Sequence, residues 1–261
     1  MPKFFVKNNQ VKEDRIVIEN EDVNHIKNVL RMKKEDELQV CVIPEGINYK
    51  VKIDSIDKNI ICKIIEKIEE TTESNIDITI FQGIPKFEKM ELIIQKNTEI
   101  GVKKIVPVMM ERTVVKLNSK DMSKKIERWN KIAEIAAKQS GRDIIPEVSS
   151  IIKVNEIHED EFDAVFVAYE NEKENTLKNE LLKLKDKKEK YNIAIVIGPE
   201  GGISENEITL LEEKKARFVS LGKRILRTET AGIVMASNIL YELEDFLLYV
   251  LHVQYVVLSM L

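Results

Sequence analysis

The chain has 261 residues, 43% of them hydrophobic, and its 41 lysines and arginines against 45 aspartates and glutamates give a net charge of −4. That composition excludes wholesale disorder and supplies core material for one large domain, or for a small and a medium one. The acidic total argues against a nonspecific nucleic-acid coat, while leaving room for a local basic patch. Two cysteines outside any CxxC pair and three histidines offer little to a zinc site or a disulfide framework. No metal is expected, and Cys41 and Cys62 read as small buried apolar residues in a reducing cytoplasm.

The N-terminus, Met1 to Lys7, turns polar at once and does not resemble a signal peptide. Arg15–Ile18, Glu37–Val42, Tyr49–Ile53 and Asn59–Ile64 alternate or run in β-branched residues, as strands do. Pro44-Glu45-Gly46 reads as a hairpin turn between two of them, and Asp22–Arg31 as a helical interlude. Short strands with tight turns predict a small barrel over residues 1–72. Glu69–Asn75 is polar and aperiodic, a linker candidate.

From residue 73 the pattern alternates between strand and helix. Strands are expected at Ile78–Gln82, Lys104–Val108, Ala164–Ala168, Ile193–Ile197 and Phe218–Leu221. Helices are expected at Lys89–Ile100 and Lys120–Ser140, each closed by a glycine, and over Asn171–Lys190. Ser204-Glu205-Asn206-Glu207 is a capping box opening a helix to Lys215, and a last helix starts near Thr230. This alternation predicts an α/β domain with a parallel sheet covered on both faces. The apolar tail Phe246–Leu261 is short for a bilayer and carries polar residues, so it reads as a helix packed on the protein or on a second subunit, with no membrane partner.

Ligands of such sheets bind beyond the C-terminal strand ends. Two segments lie there. Gly198-Pro199-Glu200-Gly201-Gly202 follows a buried strand and precedes a capped helix, a loop whose backbone approaches something closely. Its spacing is neither that of a Walker loop nor that of a dinucleotide fingerprint, so it reads equally as a ligand loop or as a plain turn. In Leu221 to Ala231, three cations (Lys223, Arg224, Arg227) precede a helix that Thr228 or Thr230 can cap, which suits an anionic guest or a solvated basic loop.

Together, GPEGGIS and LGKRILRTETA closely resemble the signatures of the RsmE family, uracil-N3 methyltransferases of small-subunit ribosomal RNA within the SPOUT superfamily. Gln95–Val102 with Ile105-Val106-Pro107, Glu111-Arg112-Thr113, Ala137–Arg142 with Pro146, and His25–Arg31 resemble further family blocks in the same order. Lys3 stands where the family has an early arginine. The resemblance implies a PUA-like β-barrel over residues 1–72 and a SPOUT methyltransferase domain over 73–261 with a deep trefoil knot, against the low prior for any knot. It further implies a cytoplasmic homodimer paired through the last helix, S-adenosyl-L-methionine (AdoMet) as cofactor, and small-subunit ribosomal RNA or the assembled small subunit as partner.

By the same resemblance, Ile197, Gly198, Pro199, Glu200, Gly201, Leu221, Gly222, Ile225, Leu226 and Thr230 form the cofactor pocket, with Ala168, Tyr169 and Glu170 on its rim. A side chain at Gly201 is expected to fill space where cofactor meets backbone. Arg227 is the candidate for stabilising a uracil anion, and Glu229 or Glu200 for accepting the N3 proton. Lys3, Arg31, Lys86, Lys96, Arg112, Gln139 and Arg142 are candidate RNA contacts. His25 reads as structural. A ribose 2′-O methyltransferase or a non-catalytic RNA binder are the competing readings.

Overall fold

The computed structural model describes residues 1–115, 119–184 and 188–243. The chain forms two compact units, one joining Met1–Glu73 with Ala137–Ile145, the other joining Ser74–Ala136 with the residues from Pro146 on. The apolar tail lies outside the described residues.

The first unit is one six-stranded sheet in the order β1-β4-β5-β6-β3-β2. Its strands are β1 (Lys3–Lys7), β2 (Val11–Lys12), β3 (Arg15–Ile18), β4 (Glu37–Ile43), β5 (Ile47–Ile56) and β6 (Ile60–Ile68). β1 pairs parallel with β4, and the other pairs are antiparallel. Register shifts between β5 and β6 bend the sheet around a core of alternating residues, including Val6, Ile16, Leu38, Val40, Val51 and Ile60. The helical interlude is a single turn, α1 (Glu21–Asn24), widened over His25–Val29. His25 is exposed, with its ring edge-on to that of Phe4. Both cysteines are fully buried, and burial is the main influence pushing each thiol up to about 12.

The segment from Ala137 to Ile145 is locked into this unit by a buried charge network. The Asp143 carboxylate accepts hydrogen bonds from Lys3 Nζ, from Asn48 Nδ2 at 2.7 Å, and from Thr71 Oγ1 and the Thr72 amide at 2.8 Å. Burial opposes ionisation of Asp143, but the Lys3 ammonium and these donors outweigh it and hold the carboxyl below its ordinary range. Glu73 takes the guanidinium of Arg142, at 2.5 Å from NH2, and the amides of Asp143 and Ile144.

The second unit holds a seven-stranded parallel sheet in the order β10-β8-β7-β12-β11-β13, with β9 beside β8. The strands are β7 (Ile76–Gly83), β8 (Lys104–Met109), β9 (Glu147–Val148), β10 (Ile152–Lys153), β11 (Ala164–Ala168), β12 (Tyr191–Ile197) and β13 (Arg217–Val219). The central strands β7 and β12 are almost wholly buried, as the unbroken apolar run Ile193–Ile197 of β12 requires. Helices α2 (Phe87–Ile100), α3 (Ser119–Ser140) and α5 (Glu205–Glu213) match the sequence pattern. Ser204 caps α5, with its hydroxyl accepting from the Glu207 amide at 3.3 Å.

One expectation is corrected. Asn171–Lys190 is not one long helix: residues 171–176 and 188–190 are not helical, and α4 is described over Leu177–Leu184. Glu172 Oε1 instead accepts from the amides of Glu174 and Asn175, and Thr176 bridges to Ser220, which holds 172–176 as a turn. The last helix, α6, covers residues 228–243, the last of this described stretch. Of its apolar residues, Met235, Ile239, Leu240 and Leu243 belong to this chain's own core and Ile233 is half-buried. Among the described residues no helix is long and apolar enough to cross a membrane.

Candidate functional site

In the second unit, β7 and β12 are sheet neighbours although β8 to β11 lie between them in sequence, and the neighbouring strand ends converge on a cleft. The cleft, about 570 Å³, is walled by the end of β11 (Ala168, Tyr169, Glu170), the loop after β12 (Ile197 to Ile203) and the segment from Ser220 to Thr228, with Ala231 of α6. That is the size of a small-molecule site.

Most residues picked for the cofactor are brought together here. Ala168, Tyr169, Ile197, Gly198, Pro199, Glu200, Leu221, Gly222, Ile225 and Leu226 all line the cleft, as does Arg227. Gly201, Glu229 and Thr230 are not on its wall. The expectation for Gly201 is corrected, because a Cβ there would lie 2.9 Å from Arg112 Cβ and 3.0 Å from the Arg112 carbonyl oxygen. What the backbone approaches closely at this position is its own chain. Arg112 reinforces the contact by donating from NH1 to the Gly201 carbonyl at 3.2 Å. Gly222 differs: its φ of +119° is the glycine-favouring region, and nothing lies within 4 Å of where a side chain would begin.

Thr228 does not cap α6 as expected. Its hydroxyl donates to the Gly198 carbonyl at 2.6 Å and accepts from Gln82 Nε2 at 2.9 Å. Gln82, at the end of β7, carries no sequence signal of its role, since its partner lies 146 positions away.

Lys89 is the second residue that sequence reasoning missed. From the first turn of α2 it reaches the cleft and joins the two candidate proton acceptors, with Nζ 3.1 Å from Glu229 Oε2 and 3.2 Å from Glu200 Oε1. The Glu229 carboxylate, against desolvation, and then Glu200 hold the Lys89 ammonium above the usual lysine range. Burial works to raise the Glu200 carboxyl, but its own amide, the Lys86 amide and Lys89 outweigh it and hold it below the usual range. A cation three residues into a helix that faces a glutamate loop is a pattern the sequence contained, but α2 alone does not tell which face meets the cleft.

Lys223, Arg224 and Arg227 are exposed and, among the described residues, form no ion pair. The cleft therefore presents free cations on one wall and the carboxylates of Glu170 and Glu200 on the other. Ile225, 87% exposed, adds an uncovered aliphatic surface. Such a site suits a guest with an apolar ring and both signs of charge. AdoMet has these features in its adenine, its carboxylate, and its ammonium and sulfonium groups.

The candidate RNA contacts divide. Arg31 and Gln139 in the first unit, and Lys86 and Arg112 in the second, are exposed. Lys96 is ion-paired to Glu99 at 2.8 Å with its side chain 41% exposed. Lys3 and Arg142 are corrected: their side chains are 6% and 5% exposed and engaged by Asp143 and Glu73 inside the first unit, so neither offers a cation to a phosphate.

Residues 72–240 match the family model described as an RNA methyltransferase domain, and residues 18–66 match that of an RNA methyltransferase PUA domain. Ribosomal RNA small subunit methyltransferase E of Bacillus subtilis (strain 168) is 37% identical over 94% of this chain and 98% of its own length. A crystal structure of the protein of that name from Neisseria gonorrhoeae, bound to S-adenosyl methionine, is similar with a TM-score of 0.80 and 27% identity, over 93% of this chain and 98% of that one. A protein of Legionella pneumophila solved with the bound cofactor SAM aligns with a TM-score of 0.79 and 28% identity, over 92% of this chain and 96% of that one.

Proposed function

The chain belongs to the ribosomal RNA small subunit methyltransferase E family of RNA methyltransferases, and from that premise we propose that it transfers the methyl group of AdoMet to N3 of a uridine in 16S ribosomal RNA. The observation that carries the reading is the cleft itself, in which both family-like segments form facing walls of one site large enough for the cofactor. AdoMet, when bound, supplies an activated methyl group on its sulfonium.

The remaining work falls to this chain. Ala168, Ile197, Leu226 and Ile225 offer apolar surface to the adenosine, and the loop from Gly198 to Gly202 offers backbone groups. Glu170 and Glu200 complement the cofactor's positive charge, and Lys223 or Arg224 its carboxylate. Arg227, exposed at the lip and forming no ion pair among the described residues, stabilises the negative charge that develops on uracil as its N3 proton leaves. Glu229 and Glu200 are the candidate acceptors of that proton, held side by side by Lys89. N3 lies on the Watson–Crick edge, so the uridine enters unpaired or out of its stack. The PUA-like unit and exposed Arg31, Lys86, Arg112 and Gln139 hold the surrounding RNA. The same reading carries the homodimer, which sedimentation of the purified protein tests.

The deciding experiment is mass mapping of small-subunit ribosomal RNA from a strain lacking this protein. Loss of one N3-methyluridine is expected; its retention would sink the proposal, and loss of a ribose-methylated nucleoside instead would move the chain to 2′-O chemistry.

A further inference from the structure

The walls of the cleft are tied together from beneath by a buried chain of hydrogen bonds. Gln82, the penultimate residue of β7, lies directly opposite Ile197 of β12 and is fully buried. Its Nε2 donates to the carbonyl of Gly83 and to Thr228 Oγ1, each at 2.9 Å. A threonine hydroxyl has one proton, and that of Thr228 goes to the Gly198 carbonyl, 2.6 Å away. Thus β7, the start of α6 and the first residue of the Gly198–Gly202 loop share a single relay. The amide orientation that makes it leaves Gln82 Oε1 buried without a hydrogen-bond partner. An unsatisfied buried acceptor is costly, and a methionine would fill the same volume without that cost. The chemistry of the glutamine, not its bulk, is therefore what the site uses.

The next residue makes an independent contact with the same loop. A Cβ on Gly83 would lie 2.6 Å from both the nitrogen and Cδ of Pro199. Only a residue without a side chain lets the end of β7 abut the loop at this distance.

We infer that Gln82 and Gly83 position the cofactor loop: Gln82 acts through Thr228 to fix the Gly198 carbonyl, and Gly83 seats Pro199. Neither residue lines the cleft, so both are positioning residues, and their effect is on the affinity for AdoMet. The inference rests on the reading that AdoMet occupies this cleft.

Calorimetric titration of AdoMet into the full-length protein, with circular dichroism to verify folding, tests it. Thr228→Val and Gln82→Met are each expected to raise Kd about tenfold, equivalent to about 1.4 kcal/mol. Thr228→Ser keeps the hydroxyl and is expected to stay within about twofold of wild type. The double variant Gln82→Met/Thr228→Val is expected to be no weaker than the weaker single one, because a relay broken once has no second link to lose. Wild-type affinity in the folded single variants, a Thr228→Ser as weak as Thr228→Val, or additive losses would overturn the inference. Should Thr228→Val not fold, Gln82→Met and Thr228→Ser decide. Ala168→Arg separates the two levels by placing bulk and positive charge in the cleft. If it binds AdoMet normally, the cleft is not the cofactor site; if it abolishes binding while the relay variants do not, the positioning role alone fails.

Discussion

Two charge clusters of similar make-up serve opposite ends. In the first unit Lys3, Arg142, Glu73 and Asp143 are all buried, and each carboxylate is met by a cation and by backbone amides. In the second, Lys89, Glu200 and Arg227 line an open cleft, with Lys89 bridging Glu200 to Glu229 behind its wall and Arg227 forming no ion pair among the described residues. The buried set fixes chain segments to one another, whereas the open set keeps charge available to a guest. Burial and partner count separate the two, and residue type does not.

Removing a member of each set should expose that difference, and the largest effect belongs to the buried one. Asp143→Ala leaves the Lys3 ammonium buried without its partner and is expected to cost about 3–5 kcal/mol of unfolding free energy, read from urea denaturation. Cofactor affinity of the molecules that remain folded should not change. The same carboxylate gives a pH signature. Its folded pKa is depressed, so its contribution is complete above the unfolded aspartate value of about 3.9 and is lost as pH falls from there through the folded value. Urea midpoints of wild type should fall across that acid window, and those of Asp143→Asn should fall less.

At the cleft, Arg227→Ala is expected to leave stability untouched and to cut turnover about 10²–10³-fold, with a smaller change in AdoMet affinity. Equal losses in both would place Arg227 in the cofactor's own shell. Lys89→Gln should lower turnover severalfold with little change in melting temperature. It should also move the acid limb of the pH–rate profile upward, because Glu200 loses a cation that helps hold its carboxyl low. An unmoved acid limb would remove Glu200 from the ionisations that limit the rate. The smallest change is expected under the cleft: a Cβ at Gly232 of α6 meets Ile197, Asn97 and Gln82 at the ordinary contact distances of 3.7–3.8 Å. Gly232→Ala should therefore stabilise the helix by about 0.5–1 kcal/mol, measured as a raised melting temperature, with AdoMet affinity retained.

Much of the frame was legible because it is local. The unbroken apolar run of β12, the Ser204 capping box and the glycines after α2 and α3 each announce themselves within a few residues. β1 was missed because Lys3–Lys7 reads as a polar terminus, and only its parallel pairing with β4 makes it a strand. The fate of Lys3 and Arg142 was illegible for the same reason, since their partners sit 140 and 69 positions away. In the site, the loop glycines were visible but their task was not: at Gly201 the close neighbour is Arg112, a contact that exists only in three dimensions. Gln82 and Lys89 likewise gain meaning from strand order and helix orientation, which periodicity does not encode.

The most direct test of the catalytic reading is transfer in vitro. The purified protein is incubated with AdoMet carrying a deuterated methyl group and with small subunits from the deletion strain, and the ribosomal RNA is then digested to nucleosides and weighed. Deuterated N3-methyluridine is expected, and is expected to be absent when Ala168→Arg replaces the wild-type protein. Label on a ribose oxygen, or no label in RNA from a protein that binds AdoMet, would contradict it.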